Sequence, residues 1–329
     1  MDKLIAAFPK NIEEALLIAE KATFKTPENT IRNVVICGMG GSGIGGRLVS
    51  FWVQNEIRVP VQCFHDYSAP AYIDQYTLVI ASSYSGNTEE TLFFVDEVKE
   101  KGAHIIGVCS GGELQEYCTK NNYDCVIVPG GNPPRTALAF SLVQVTNILT
   151  KLGLISNTVL SNLASAQHLI EQKLEHIQSE AKTLAAFLKG TVPVFYATSL
   201  YEAVLIRAKQ QFNENAKMLC WTHVIPEMNH NELVGWGGGD NRFSAVYFDT
   251  KDLLPRNEKR VEITCEVIAS KTKLQTIHAE GTNLVERSIY IIHLVDWASF
   301  YLSELKQTDA MEIKIIDRLK SELANFEEK

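Results

Sequence analysis

The sequence predicts an α/β protein in which helices cover two doubly wound parallel sheets. Hydrophobic strand-like segments alternate with amphipathic helical segments between residues 33 and 152, a pattern typical of parallel strands joined by helical crossovers. Small, polar loops follow two of these strands directly, at the sheet edge where such folds bind ligands. A similar order of elements starts again near residue 192, which indicates a topological repeat without a sequence repeat.

The first half is expected to contain five strands with helices between them. An amphipathic segment over 10–23 predicts a helix that packs over the sheet. Strands are predicted at 33–37, 60–64, 77–81, 104–108 and 124–128. Helices are predicted at 43–54, 88–101, 112–121 and 137–152. Because parallel neighbours need a long crossover, these helices are expected to connect the strands across the faces of the sheet.

The second half follows the same alternation after a long amphipathic stretch over 158–189, which we interpret as one or two connecting helices. Strands are predicted at 192–197, 243–249, 262–269 and 275–279, and helices at 201–217, 284–306 and 311–326. Neither a Pro-rich nor a low-complexity linker separates the halves. We therefore expect two tightly packed domains, 1–153 and 154–329.

Composition restricts the classes of function. A net charge of −8 argues against non-specific nucleic-acid binding, which depends on a basic surface. The first residues lack a signal-peptide pattern, and no apolar run approaches the length that spans a membrane. The seven cysteines show no CxxC spacing, which predicts reduced thiols and no metal site. The chain is therefore expected to be cytoplasmic, away from membranes and nucleic acid.

Two loops carry most of the chemical information. The first, GMGGSGIGG, covers 38–46, and the second, SSYSGNT, covers 82–88. Bare glycine amides and hydroxyl groups are the donors that suit the oxygens of a phosphate. Two such loops on neighbouring strands favour a compact, multiply charged ligand such as a sugar phosphate. In the second loop, Asn87 or Thr88 also fits a helix cap.

The glycine loop also matches a dinucleotide fingerprint. Gly38, Gly40 and Gly43 have the required spacing, and Asp66 follows the next strand. A dinucleotide site does not need the hydroxyls of the second loop, so the sugar-phosphate interpretation is favoured. A nicotinamide-dependent oxidoreductase and a purely structural glycine turn remain the alternatives.

Three further side chains are candidates for charge stabilisation and proton transfer. Arg135 precedes a helix after a Gly-Gly turn, where a fixed cation can stabilise an oxyanion, although a surface arginine fits the same pattern. Glu214 lies late in a largely apolar helix, either as a base or as a solvated carboxylate beside Lys217. His230 lies between two asparagines in a predicted loop. A glutamate base and a histidine supply the proton transfers of an aldose–ketose conversion.

These motifs resemble those of the sugar isomerase (SIS) superfamily, and more closely those of the bifunctional phosphoglucose/phosphomannose isomerases. They are, in chain order, GMGGSGIGG (38–46), SSYSGNTEET (82–91), PRTALAFSL (134–142), NENAK (213–217) and MNHNELVGW (228–236). The resemblance implies two SIS subdomains with flavodoxin-like sheets in a three-layer αβα arrangement. It also implies a homodimer that uses neither a metal nor an organic cofactor.

The resemblance further implies a substrate site for a hexose 6-phosphate in the N-terminal subdomain. Gly41 and Ser42 would lie at the substrate. The phosphate would be held by Ser83, Ser85 and Thr88. The implied reaction interconverts glucose 6-phosphate, and also mannose 6-phosphate, with fructose 6-phosphate. A phosphosugar sensor without catalytic activity is the alternative, since it would need these loops but no groups that transfer protons.

The same resemblance assigns catalytic roles to residues that lie mainly in the second half. Glu214 would move a proton between C1 and C2, and Arg135 would stabilise the cis-enediolate. His230 would assist ring opening and would reach the site from the partner subunit. A lysine near the C-terminus is also implied. Lys320 fits the terminal helix best, and Lys306 is the alternative.

Overall fold

The computed structural model describes residues 1–326, which form two β-sheets with only parallel strand pairs. The predicted α/β class is therefore confirmed. Residues 327–329, the end of the predicted second domain, lie outside the described residues.

The first sheet contains five strands in the order β2-β1-β3-β4-β5. They are β1 (Asn33–Cys37), β2 (Val61–Phe64), β3 (Thr77–Ser82), β4 (His104–Cys109) and β5 (Asp124–Ile127). The helices of this half are α1 (Asp2–Ala6), α2 (Phe8–Lys21), α3 (Gly40–Val53), α4 (Glu89–Lys99), α5 (Gly112–Lys120) and α6 (Leu138–Lys151). β3 is buried along its whole length, because helices cover both faces of a parallel sheet. Strand order reverses between β1 and β3, so the loops after these two strands meet at a topological switch point.

The second sheet contains four strands in the order β7-β6-β8-β9, which repeats the order of the first four strands. They are β6 (Val192–Thr198), β7 (Trp221–Ile225), β8 (Phe243–Asp249) and β9 (Lys273–His278). The helices are α7 (Thr158–Gln172), α8 (Leu174–Leu188), α9 (Glu202–Ala216), α10 (Glu232–Gly238), α11 (Pro255–Ala269), α12 (Leu284–Leu305) and α13 (Lys314–Ala324). The predicted topological repeat is thus present.

The strand predicted at 262–269 is wrong, since these residues belong to α11. Apolar and polar side chains alternate over 261–267, and this local period of two favours a strand. β8 and β9 are parallel neighbours, however, and parallel neighbours need a crossover that α11 supplies. Thr264 and Ile268 lie one helical turn apart on α11, and both side chains are buried on the face of the helix that packs against the protein. Tertiary context overrides the local preference here.

The strand β7 is absent from the elements that the sequence predicts. It lies at an edge of the second sheet and is only partly buried, so it lacks the continuous apolar run of an interior strand. Its polar residues Thr222 and His223 weaken the local pattern further. β7 matters for function because the segment with His230 follows it directly.

One hydrophobic core connects the two halves. It contains residues from β1 and β3, from β6 and β8, and from α12, which is buried along most of its length. α3 of the first half also packs against α9 of the second half. The domain boundary at 153/154 stays a prediction, but this packing brings the switch point of the first sheet next to α9. No helix within 1–326 combines the length and apolar character needed to cross a bilayer.

Candidate active site

The glycine loop after β1 lies in direct contact with the end of β3. A Cβ atom on Gly38 would stand 2.4 Å from the carbonyl oxygen of Ser82, and one on Gly43 would stand 2.4 Å from the carbonyl oxygen of Gly38. Gly40, with φ of +50°, starts α3 in a left-handed conformation. The glycine spacing that fits a dinucleotide fingerprint is therefore explained by two backbones packed closely at the switch point.

The serine loop after β3 brings together four of the predicted binding residues. Ser42 Oγ accepts a hydrogen bond of 2.9 Å from the backbone N–H of Tyr84. Ser83 and Thr88 share a hydrogen bond of 2.7 Å between their hydroxyl groups, and Ser85 Oγ accepts from the N–H of Asn87. These contacts place the hydroxyls of one loop beside the amides of the other.

Neither Asn87 nor Thr88 caps α4 with its side chain, so the helix-capping interpretation of this loop is wrong. Thr88 occupies the N-cap position of α4 but makes no cap hydrogen bond, because its hydroxyl pairs with Ser83. Asn87 Oδ1 accepts instead from the N–H of Glu113 in α5. The first amides of α4 therefore lack a side-chain partner, and such amides are a suitable site for an anion.

Arg135 is a buried residue, which excludes the surface-arginine alternative. Its side chain is 4% exposed and lies in the 3-10 turn Pro134–Thr136. The glycine loop reaches this turn, since a Cβ on Gly41 would stand 2.7 Å from the carbonyl oxygen of Pro134. Burial lowers the pKa of Arg135, and the nearby carboxylate of Glu214 opposes this effect.

The structure pairs Arg135 with Glu214. Arg135 Nη1 lies 3.4 Å from Glu214 Oε2, and the carboxylate side chain is 30% exposed. Arg135 Nε donates to Asn215 Oδ1 at 3.0 Å, while Nη2 donates to the carbonyl of Ala310 at 2.7 Å. The guanidinium is thus held by the protein, while the carboxylate remains accessible. Glu214 is therefore not simply a solvated residue beside Lys217.

A buried ion pair that the sequence analysis missed holds the backbone of Arg135. Arg207 Nη2 donates to the carbonyl oxygen of Arg135 at 2.7 Å and lies 3.1 Å from Asp296 Oδ2. Asn215 is anchored as well, because its Nδ2 donates to Ser299 Oγ at 2.9 Å. A usable signal existed in the sequence, since Asp296 is an isolated charge in an otherwise apolar part of α12.

His230 lies apart from this pair. The predicted loop is a 3-10 segment, Glu227–His230, followed by α10. His230 is exposed, and within residues 1–326 its imidazole makes no hydrogen bond and no ion pair. The following Glu232 anchors the segment by accepting hydrogen bonds from Tyr196 and, at 2.8 Å, from His223 Nδ1.

The two candidate lysines have different surroundings. Lys320 is an exposed residue of α13, and its ammonium makes no polar contact within the described part of the chain. Lys306 Nζ donates to the carbonyls of Ala216 and Lys217 at 2.7 and 3.0 Å, so it caps the end of α9 next to Glu214. Burial lowers the pKa of Lys306.

Glu214 also lines an open groove of about 430 Å³ between the end of α9 and the start of α13. Its walls include the apolar side chains of Met218, Ile313 and Ile316. Within residues 1–326, no three His, Cys, Asp or Glu side chains are grouped so that they could hold a metal ion. The arrangement offers an anion site, a fixed cation and an accessible carboxylate, which are the requirements for proton transfer next to a carbonyl group.

Comparison with known proteins first establishes the class. The SIS domain model matches residues 30–127, and the model described as bacterial phospho-glucose isomerase C-terminal SIS domain matches 177–323. The C-terminal domain of glucosamine-fructose-6-phosphate aminotransferase from Francisella tularensis superposes with a TM-score of 0.76 at 14% identity, covering 94% of this chain and 96% of that chain. A putative phosphosugar isomerase from Clostridium difficile 630 gives the same TM-score and identity, covering 95% of each chain. The fold and the site define a protein with two SIS domains.

Sequence relatives then identify the family. A protein from Caldicellulosiruptor bescii described as bifunctional phosphoglucose/phosphomannose isomerase is 35% identical over 97% of this chain and 98% of its own. A protein of the same description from Aquifex aeolicus is 36% identical over 89% of this chain and 90% of its own. The chain belongs to the bifunctional phosphoglucose/phosphomannose isomerase family, as its motifs predict. A more distant relative, 27% identical over 90% of this chain and 91% of its own, is the D-glucosamine-6-phosphate 4-epimerase of Sulfolobus acidocaldarius.

Proposed function

We propose that this chain interconverts glucose 6-phosphate, and mannose 6-phosphate, with fructose 6-phosphate through a cis-enediolate. The observation that carries the proposal is the pair of Arg135 and Glu214 beside the glycine loop. A phosphosugar sensor would need the two loops but not a buried guanidinium held 3.4 Å from an accessible carboxylate. The names of the relatives support the same reaction.

The phosphate group is proposed to bind where the two loops meet. The hydroxyls of Ser83, Ser85 and Thr88 and the free amides of α4 supply donors for its oxygens. Gly41 and Ser42 lie between these donors and Arg135, where the sugar chain extends. Binding energy from the remote phosphate positions C1 and C2 for reaction.

Proton transfer then follows from the position of Glu214. Its carboxylate removes the proton from C2 of the open-chain aldose and returns it to C1, which yields the ketose. The negative oxygen of the enediolate is stabilised by Arg135, which is already fixed by Asn215 and Ala310 and does not need to reorganise. Glucose and mannose 6-phosphates differ only at C2, so both pass through the same enediol.

A homodimer is part of this proposal, as is a cytoplasmic location, which agrees with seven free cysteines. His230 is exposed and makes no polar contact with Arg135 or Glu214 in the described chain. α13 has no buried residue, although apolar side chains repeat along one face at Ile315, Leu319 and Leu323. A second copy would cover such a face. In the dimer, His230 of the partner subunit assists ring opening, and Lys320 is the proposed lysine of the site.

The reaction is tested with purified protein and each hexose phosphate separately. We expect both glucose 6-phosphate and mannose 6-phosphate to yield fructose 6-phosphate in a coupled assay. Activity should persist in EDTA, because Arg135 supplies the charge that a metal would otherwise provide. Sugar-phosphate binding without turnover would instead indicate a sensor, and saturable NADH binding without isomerisation would indicate an oxidoreductase.

The contribution of the partner subunit is tested by complementation. Glu214→Gln and His230→Ala are each expected to lose activity alone, and coexpressing the two variants is expected to restore about a quarter of wild-type activity. Half of the dimers are then mixed, and each mixed dimer has one site with an intact glutamate and an intact partner histidine. The coupled assay measures the activity per dimer, and light scattering measures whether the protein is dimeric.

The matched control for complementation is coexpression of Glu214→Gln with Arg135→Lys. Both residues belong to the same chain's site, so no mixed dimer contains an intact site and no activity should return. If the first pair also stays inactive although mixed dimers form, His230 does not act across the interface. A protein that is active as a monomer would also show that His230 does not act across the interface.

A further inference from the structure

Three thiols lie together at the edge of the first sheet, away from the groups that the isomerase reaction uses. Cys109 ends β4 and Cys125 lies on the neighbouring edge strand β5, with their sulfur atoms 3.6 Å apart. Cys118 of α5 approaches from above, since a Cβ on Gly107 would stand 2.8 Å from its sulfur and 3.0 Å from that of Cys125. Gly107 therefore leaves the space in which these sulfurs pack.

The three thiols differ in access. Cys109 and Cys118 are fully buried, whereas Cys125 is partly exposed on the edge strand. A small oxidant such as hydrogen peroxide thus enters past Cys125, whose sulfur contacts that of Cys109. The contact between the two sulfurs lowers the pKa of Cys109 and raises the pKa of Cys125, so Cys109 is the better nucleophile of the pair.

We propose that Cys125 and Cys109 form a peroxide-sensitive modification site that closes to a disulfide. The thiolate of Cys109 attacks one peroxide oxygen, which gives a sulfenic acid on Cys109 and releases water. The sulfur of Cys125 then attacks the sulfenic sulfur of Cys109; the S–S bond forms, and the thiol proton of Cys125 leaves with the hydroxyl group as a second water. Two thiols are oxidised by two electrons, and one peroxide is reduced to two waters.

Closing this bond acts on the serine loop, and here the inference rests on the proposed function of that loop. The residue after Cys109, Ser110, donates from both its N–H and its hydroxyl to the carbonyl of Tyr84, at 2.8 and 2.7 Å. The N–H of Leu114 holds the carbonyl of Gly86 at 2.9 Å. The sulfurs must approach from 3.6 Å to roughly 2 Å. This movement shifts Ser110 and loosens the loop proposed to bind phosphate.

The test treats the full-length protein with hydrogen peroxide and maps disulfides in non-reduced peptides by mass spectrometry. We expect a Cys109–Cys125 crosslink that dithiothreitol reverses. The KM for fructose 6-phosphate should rise roughly threefold to tenfold, the equivalent of one weakened hydrogen bond. Cys125→Ser and Cys125→Ala should both abolish the crosslink and the change in KM. Cys265→Ser removes a partly buried thiol outside the cluster and should change neither.

The outcomes separate this site from the isomerase proposal. A crosslink between other cysteines overturns the assigned pair whether or not the protein is an isomerase. The absence of any crosslink at peroxide levels that oxidise the partly buried Cys63 and Cys265 does the same. A Cys109–Cys125 crosslink with unchanged KM overturns its link to the serine loop. If the untreated protein has no isomerase activity, mapping the crosslink still shows whether Cys109 and Cys125 form a disulfide.

Discussion

Replacing Glu214 by Gln is expected to lower kcat for both hexose phosphates by roughly 10³-fold, the typical loss for a removed general base. The amide keeps the shape of the carboxylate and can still accept a hydrogen bond from Arg135, but it cannot take up the C2 proton. Binding of a substrate analogue should change little. A coupled assay measures kcat, and calorimetry measures the analogue's Kd.

A matched control for this variant is Glu312→Gln. Glu312 lines the same groove, and its side chain accepts from the N–H of Lys314 outside the Arg135 pair. The kcat of Glu312→Gln should stay within about threefold of wild type, because Glu312 makes no polar contact with the guanidinium of Arg135 and the amide keeps the acceptor for Lys314. Exchange of the C2 hydrogen with solvent gives a second readout. If Glu214→Gln turns over and exchanges normally, Glu214 is not the base.

Replacing Arg135 by Lys is expected to lower kcat/KM by about 10²- to 10³-fold, the usual loss when a preorganised donor to an oxyanion is removed. Lysine keeps the charge but cannot contact Asn215, Ala310 and Glu214 at once from a rigid planar group. The remaining charge is therefore mobile, and the enediolate loses a fixed partner. Coupled kinetics together with thermal unfolding separate this effect from misfolding.

A phosphorylated hydroxamic acid, which carries charge like that of the enediolate, distinguishes the roles of the two residues. Arg135→Lys should weaken its binding by about the same factor as kcat/KM, since transition-state mimics share those contacts. Glu214→Gln should bind it nearly as wild type does. Equal kcat/KM in wild type and in a folded Arg135→Lys protein would remove the arginine from the mechanism.

Much of the fold could be predicted because its signals are local. Strand and helix periods identified eight of the nine strands within residues 1–326, and only 262–269 was given the wrong type. The loops at 38–46 and 82–88 were recognisable because glycines and hydroxyl residues concentrate where two strands end. The family could be identified for the same reason, since its motifs are short and contiguous.

The pairing of Arg135 with Glu214 depended on tertiary contacts. Arg135 and Asn215 are 80 residues apart, and Arg135 and Ala310 are 175 apart, so no local period relates them. The pair of Arg207 and Asp296 was not predicted because an isolated charge in an apolar segment indicates a buried partner but does not say which residue it is. The lysine assignment stays open for a similar reason, since Lys306 contacts α9 through folding and Lys320 lies on an uncovered helix.

Local patterns alone were thus enough to establish the α/β class, the two loops at the switch point and the family. Folding decided which charges meet: α3 packs against the turn that carries Arg135 and against α9, which carries Glu214, while His230 lies elsewhere. The physical reason is that backbone periodicity is encoded over a few neighbouring residues, whereas an ion pair depends on distances that only the packed core determines.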